Sequence, residues 1–200
     1  MVKQQRAART REALVQAAAV AFDRVGYEAA SLSQVSKAAE ISMGALTFHF
    51  PMKEQLAHAV QVRGATATEA VTRAIAEDSR RPLDRMLALT LEIAQLLDED
   101  VAVRAAARLT RECPHLETPW PATWLPVVEK LIAEAEGDLR PGVAPRTVLA
   151  LTSYLMVGTE AYVRRGAAVP GACAADAQES ARDQLSRIWR VVFPCISVTE

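Results

Sequence analysis

Residues 31–53 read S-L-S-Q-V-S-K-A-A-E-I-S-M-G-A-L-T-F-H-F-P-M-K, which leaves room for two short helices and one tight turn. Ser31 with Gln34 three residues later is a capping box, so a helix begins there. Leu32, Val35 and Ala39 form its inner face, and Glu40-Ile41 is the turn, with Ile41 plugging the core between the helices. Ser42 caps the next helix, which runs to about Phe48, and Pro51 suits the first turn of the one after it. A longer amphipathic helix precedes this segment, with Leu14, Ala17, Ala18, Ala21, Phe22 and Val25 on one face. It stops near Gly26, a residue suited to a left-handed C-terminal position. This arrangement is the sequence form of a helix-turn-helix, whose second helix enters the major groove of DNA.

Helical periodicity continues to the end, with no convincing period-2 strand. Helix four carries Leu56, Val60, Ala67, Val71 and Ile75, with Gly64 as a weak point or hinge. Pro82 opens a helix with Leu83, Met86, Leu87, Leu91, Ala94 and Leu97 in its core, and another covers roughly residues 100–112. Cys113 to Pro121 is breaker-rich loop. Trp124, Val127, Val128, Leu131 and Ile132 start the next apolar face, which ends at Gly137. Two long helices follow, from about Pro145 to Arg165 and from about Ala174 to Val192, linked by Gly166 to Gly171. The expectation is an all-α chain of about nine to ten helices. It divides into an N-terminal three-helix helix-turn-helix DNA-binding domain, residues 1–52, and a C-terminal helical ligand-binding and dimerisation bundle, residues 53–200.

Half of the 200 residues are apolar, which excludes disorder. Net charge is −1, but residues 1–60 carry seven Lys/Arg against five acids (+2) and the remainder 16 against 19 (−3). Residues 1–11 hold four positive charges and no negative one, so Arg6 is a candidate phosphate contact; the alternative is a solvated, frayed terminus. Cys113, Cys173 and Cys195 are odd in number and far apart, which gives neither a metal spacing nor a disulfide framework and fits a reducing cytoplasm. No apolar h-region follows the basic start, and no run approaches the ~20 residues of a membrane span. G-x-S-x-G, P-loop, H-E-x-x-H and paired C-x-x-C motifs are all missing, and Cys113 and His115 lack an orienting third group. An enzyme, a metal site and a cofactor are therefore not expected.

Gly44 and Ala45 are small enough to let the recognition helix approach a duplex closely. Met43 or Ala45 can touch a thymine methyl, and Ser42 or Thr47 can bond a base edge or a phosphate. Ser31 and Ser33 can hold the backbone across the groove. Lys53 sits in the first turn of helix four, near backbone N–H groups that favour an anion. Phe48 and Phe50 are expected in the core.

The residues Thr10, Leu14, Ala18, Phe22, Gly26-Tyr27, Leu32, Val35, Ala38-Ala39, Ile41-Ser42, Gly44, Leu46, Phe48-His49-Phe50, Lys53 and Leu56 together resemble the TetR family of bacterial repressors. The G-A-L and F-H-F runs look most like its γ-butyrolactone receptor branch in actinomycetes. In the body, Arg104 to Leu109, Trp124 and Val157 to Thr159 carry the likeness. The resemblance implies that His49 and Lys53 meet phosphate and that Trp124 and Thr159 meet a lactone-type ligand. Thr152 adds a hydroxyl, and Val128 and Leu87 add apolar lining. The alternatives are a packed core tryptophan and, for Thr159, a hydroxyl bonded back to its own helix.

The resemblance also implies a homodimer paired through the last two helices, here Leu151, Leu155, Tyr162, Leu185, Ile188 and Trp189. Such a dimer binds a pseudo-palindromic double-stranded operator and is released by a small apolar ligand, lactone-like or an antibiotic. A multidrug-sensing efflux repressor and a ligandless DNA-binding dimer are the competing readings. The chain departs from the family pattern at four places. Met43 stands where Lys is common, Thr47 where Tyr is common, Glu40 where many relatives turn on Gly, and Gly64 where some carry Gln. The last departure implies altered ligand choice, or a pseudo-receptor that answers a different molecule.

Overall fold

The computed structural model describes residues 2–116, 119–167 and 179–198. Cys173, most of the expected link to Gly171 and the expected helix start at Ala174 lie outside them. The described residues form nine α-helices: α1 (Val2–Ala29), α2 (Leu32–Ala38), α3 (Met43–His49), α4 (Lys53–Ala76), α5 (Pro82–Glu99), α6 (Val101–Glu112), α7 (Leu125–Glu134), α8 (Pro145–Ala167) and α9 (Ala181–Ile196). The only β-pairing among these residues is one isolated antiparallel bridge, Leu139 with Ser197.

The chain divides into two compact units: Met1–Thr66 with Asp100–Trp120, and Ala67–Glu99 with Pro121–Glu200. This differs from the expected boundary at residue 52. The first unit takes in α6 and the opening turns of α4, because α6 packs along α1. The small residues Ala102 and Ala105, with Leu109, join the core of Leu14, Ala18, Phe22, Val35, Leu46, Phe50 and Leu56. Polar bonds fix the register. Arg104 Nε donates to Asp23 Oδ2 at 2.9 Å, and Arg108 Nη1 donates to the Asp23 carbonyl at 2.8 Å. Glu112 accepts from Arg108 Nε and from the Tyr27 backbone N–H, both at 2.6 Å.

Gly26 stands at the centre of this network with φ 83 and ψ 175, and the regular helix breaks there as the sequence leads one to expect, a second short helical stretch continuing α1 beyond the kink. Only glycine suits it, since this combination of φ and ψ is one that a residue with a Cβ rarely adopts. Gly64 makes no such break. Helix α4 runs through it unbroken, and a Cβ there would meet the Ala102 carbonyl oxygen at 2.5 Å and the Ala106 Cβ at 2.6 Å. The glycine permits close approach of two helices.

In the second unit α5 packs against α7, α8 and α9. Its core includes Leu83, Met86, Leu89, Ile93, Val128, Leu131, Leu185 and Trp189. Asp98 caps α9 by accepting the N–H groups of Ala181 at 3.0 Å and Arg182 at 3.1 Å. Trp189 Nε1 donates to Thr90 Oγ1 at 2.9 Å, so the indole is anchored inside the bundle.

Candidate functional site

The recognition segment is built on two serine caps. Ser31 accepts from the Gln34 N–H at 3.2 Å while the Gln34 side chain accepts the Ser31 N–H at 2.9 Å, the reciprocal box expected from the sequence. Ser42 caps α3 by accepting from Ala45 N–H at 3.3 Å. Between them Glu40 adopts φ 55, a left-handed turn without glycine. Ser36 holds that turn shut: its hydroxyl donates to the Ile41 carbonyl at 2.5 Å, and its own carbonyl accepts the Ile41 N–H at 3.0 Å. Ile41 packs against the core as expected.

Leu46 turns inward and is fully buried, which leaves the opposite face of α3 in solvent. Met43 is 40% exposed, and nothing lies within 4 Å of where a Cβ on Gly44 would be. Ser31, Ser33, Ser42 and Thr47 are exposed on the same unit, as is Arg6 on α1, while Ala45 and His49 are half-buried. The Thr47 hydroxyl donates to the carbonyls of Met43 at 3.0 Å and Gly44 at 3.2 Å, so a base contact requires it to rotate away.

One expectation changes here. Phe50 is core, but Phe48 is 79% exposed and meets His49 edge-on at 5.3 Å. Residues two apart on a helix point about 200° from each other, so with Leu46 inside, Phe48 must face out. Lys53 is drawn back onto α1. Its Nζ lies 4.4 Å from the centre of the Tyr27 ring and donates to the Glu28 carbonyl at 3.3 Å. The aromatic face and the carbonyl together hold the ammonium against α1.

All three histidines, His49, His58 and His115, border one open groove of the first unit together with Arg11 and Glu54. His115 Nε2 is 3.8 Å from Glu54 Oε1. No group of three His, Cys, Asp or Glu among the described residues is placed to hold a metal ion.

The second unit holds the expected ligand residues. Trp124, Val128, Thr152 and Thr159 are buried, and Leu87 is half-buried. Thr159 donates to the Leu155 carbonyl of its own helix at 2.8 Å, the back-bonded alternative. Thr152 donates to Met86 Sδ at 3.6 Å. Of the expected pairing residues, Leu151, Leu155, Tyr162 and Ile188 keep partial exposure. Leu185 and Trp189 are each 1% exposed and belong to the unit's own core, so they are not available to a partner. The apolar groups that α8 and α9 present outward are Tyr154, Val157 and Val191, which periodicity alone did not single out. Gln61, another residue missed by the sequence reading, is almost wholly buried.

Residues 14–60 match the family described as bacterial regulatory proteins, tetR family. The A-factor receptor protein of Streptomyces griseus is 28% identical over 201 residues, covering 98% of this chain and 67% of that protein. A crystal structure of a γ-butyrolactone receptor (ArpA-like protein) superposes with TM-score 0.76 at 24% identity, covering 96% of this chain and 90% of that one. CprB of Streptomyces coelicolor, solved with its biological operator sequence, gives 0.74 at 24%, covering 97% and 91%. These superpositions establish the fold. No described helix is long and apolar enough to cross a membrane.

Proposed function

We propose, from the premise that residues 14–60 are a tetR-family regulatory domain, that this chain is a homodimeric transcriptional repressor in the cytoplasm, released from its operator by a small apolar ligand of γ-butyrolactone type. The observation that carries the DNA-binding part is the solvent face of α3. Met43, Gly44, Thr47 and Phe48 stand clear of a core that holds Leu46 and Phe50. Such a helix can lie in the major groove, with Met43 and Phe48 against thymine methyls and Ser42 at a base edge or phosphate. Ser31, Ser33, His49 and Arg6 are the phosphate contacts.

Two copies joined through α8 and α9 present two α3 helices to half-sites about one helical turn of DNA apart or slightly more. The half-buried Leu151, Leu155 and Ile188, with exposed Tyr154, Val157 and Val191, form that pairing face. The ligand site lies in the second unit around Trp124, Val128, Thr152 and Leu87. Likeness to solved γ-butyrolactone receptors supports a lactone over other apolar molecules. Helix α4 contributes residues to both units, and a ligand that favours one of its arrangements shifts operator affinity by a coupling of about 1–3 kcal/mol.

The test is selection of operator DNA from a random pool, followed by fluorescence anisotropy with and without an alkyl-γ-butyrolactone. A pseudo-palindromic site bound by a dimer and released by the lactone is the expected result. Binding no tighter than to random duplex overturns the repressor reading. Tight binding that no lactone or apolar antibiotic releases overturns the sensing half.

A further inference from the structure

The groove bordered by all three histidines of the chain has a volume of about 600 Å³ and lies wholly within the first unit. His49 ends α3, His58 lies in the second turn of α4, and His115 follows α6. Arg11 of α1 and Glu54 of α4 complete its charged lining among the described residues. In a helix-turn-helix the N-terminal residues of the recognition helix meet base edges. The seven residues of α3 span about 10 Å, close to the ~12 Å width of the major groove. With Met43 at the bases, His49 at the other end comes to the wall of the major groove, where the sugar-phosphate backbone runs. The histidine-lined groove begins at His49, so a strand at that wall is brought against it.

The charge of this groove depends on protons. With neutral imidazoles, Arg11 is balanced by Glu54. Imidazole takes up a proton between about pH 8 and 5. With all three charged, the described lining residues carry an excess of three positive charges. Glu54 alone would repel a phosphate, and His115 is placed to offset it. Its Nε2 lies 3.8 Å from Glu54 Oε1, with both side chains more than half exposed. The exposed Arg11 holds its guanidinium 5.1 Å from the centre of the Phe50 ring. Two charges on adjoining turns are engaged elsewhere, Lys53 with Tyr27 and Glu112 with Arg108 and the Tyr27 N–H. An enclosed pocket buries most of a small ligand. Here Arg11, Glu54, His58 and His115 are all exposed, which suits a strand laid along an open groove.

Resting on the DNA-binding reading above, we propose that this groove takes the phosphate backbone just outside each half-site, and that His58 and His115 make the contact proton-dependent. A neighbouring phosphate favours the charged imidazole. Operator binding therefore draws protons onto the groove and tightens as pH falls. Arg11 and His58 meet the phosphate, while His115 acts through Glu54 by cancelling its charge.

The experiment uses the full-length protein on its selected operator in two duplex lengths. One ends at the outer edges of the half-sites, and the other is extended at each end by about half a helical turn. Affinity is measured by fluorescence anisotropy at pH 8 and pH 6, at several salt concentrations, for wild type, His58→Gln, His115→Gln and the double variant. Lowering the pH is expected to tighten wild type on the extended duplex about tenfold more than on the short one, the scale of one charge-assisted hydrogen bond. The salt slope on the extended duplex should steepen by about one counterion. His58→Gln should lose most of both gains and His115→Gln part of them. Both variants should match wild type on the short duplex at pH 8, since glutamine at these exposed positions leaves the core untouched.

An equal pH response on the two duplexes, or a length-dependent gain that survives the double substitution, overturns the assignment and leaves the repressor reading intact. Wild type that binds the selected duplex no tighter than random DNA at either pH overturns both.

Discussion

Lys53 holds its ammonium 4.4 Å from the centre of the Tyr27 ring and ties the start of α4 to the kinked end of α1. A cation held this way stabilises the fold by about 0.5–1 kcal/mol. Lys53→Ala is therefore expected to lower unfolding free energy by that amount in urea titration. The slope of log K against log salt for operator binding should stay unchanged. A slope reduced by about one counterion would mean that the ammonium leaves Tyr27 for a phosphate.

Phe48 presents a large apolar surface to water, and its removal exposes nothing in the core. Phe48→Ala should leave stability within about 0.5 kcal/mol. It should weaken operator binding by more than about 1 kcal/mol if the ring is an interface anchor. Parallel denaturation and anisotropy measurements separate these effects.

Two opposed effects meet at Gly64. Alanine is the better helix former by about 1 kcal/mol. Its Cβ would lie 2.5 Å from the Ala102 carbonyl oxygen, and a backbone atom does not yield as a flexible side chain does. Overpacking of this kind costs about 1–3 kcal/mol, so Gly64→Ala should be neutral to destabilising, and Gly64→Leu more so. A clear gain in melting temperature for the alanine variant would show that α4 and α6 separate easily.

Burial raises the Cys113 thiol above its ordinary range, with the Glu112 carboxylate adding to the effect. At pH 8 it therefore stays a neutral, enclosed thiol. Iodoacetamide followed by peptide mapping should modify the exposed Cys195 in the native protein and reach Cys113 only in denaturant.

Asp78 is pulled down to about 2 by its hydrogen bonds from Arg80, at 2.9 Å and 2.7 Å from the guanidinium and 2.8 Å from the backbone N–H. The carboxylate form is the favoured one in the folded state. Its contribution is complete above the ordinary value of 3.8 and is lost as pH falls through about 2. Carbon-detected NMR titration should place this carboxyl well below the ordinary aspartate value, and Arg80→Ala should return it toward that value.

The turn, both serine caps and the helix order were legible in the sequence because each is decided locally, by residues within five positions of one another. Ser31 with Gln34 closes its own box, and Ile41 fills the space that its turn creates. The allegiance of α6 was not legible. An alanine-rich helix suits many partners, and the Arg104–Asp23 and Glu112–Tyr27 bonds that attach it to α1 join residues more than 80 positions apart. Phe48 was misplaced because both rings of the F-H-F run are apolar, although Phe48 follows the buried Leu46 by two helical positions and so faces away from it, while Phe50 leaves the helix and turns into the core. Leu185 and Trp189 were assigned to the pairing face because α9 has apolar groups on more than one side. The indole turns inward in the packing of α9 on α5, where its N–H meets Thr90, 99 residues away.

Gly44 leaves a vacant notch in the middle of a surface whose scaffold does not depend on it. A regulator of this build can try any side chain at that notch without renegotiating its interior. Its preferred genomic address can therefore drift one residue at a time while the molecule that reads it stays intact.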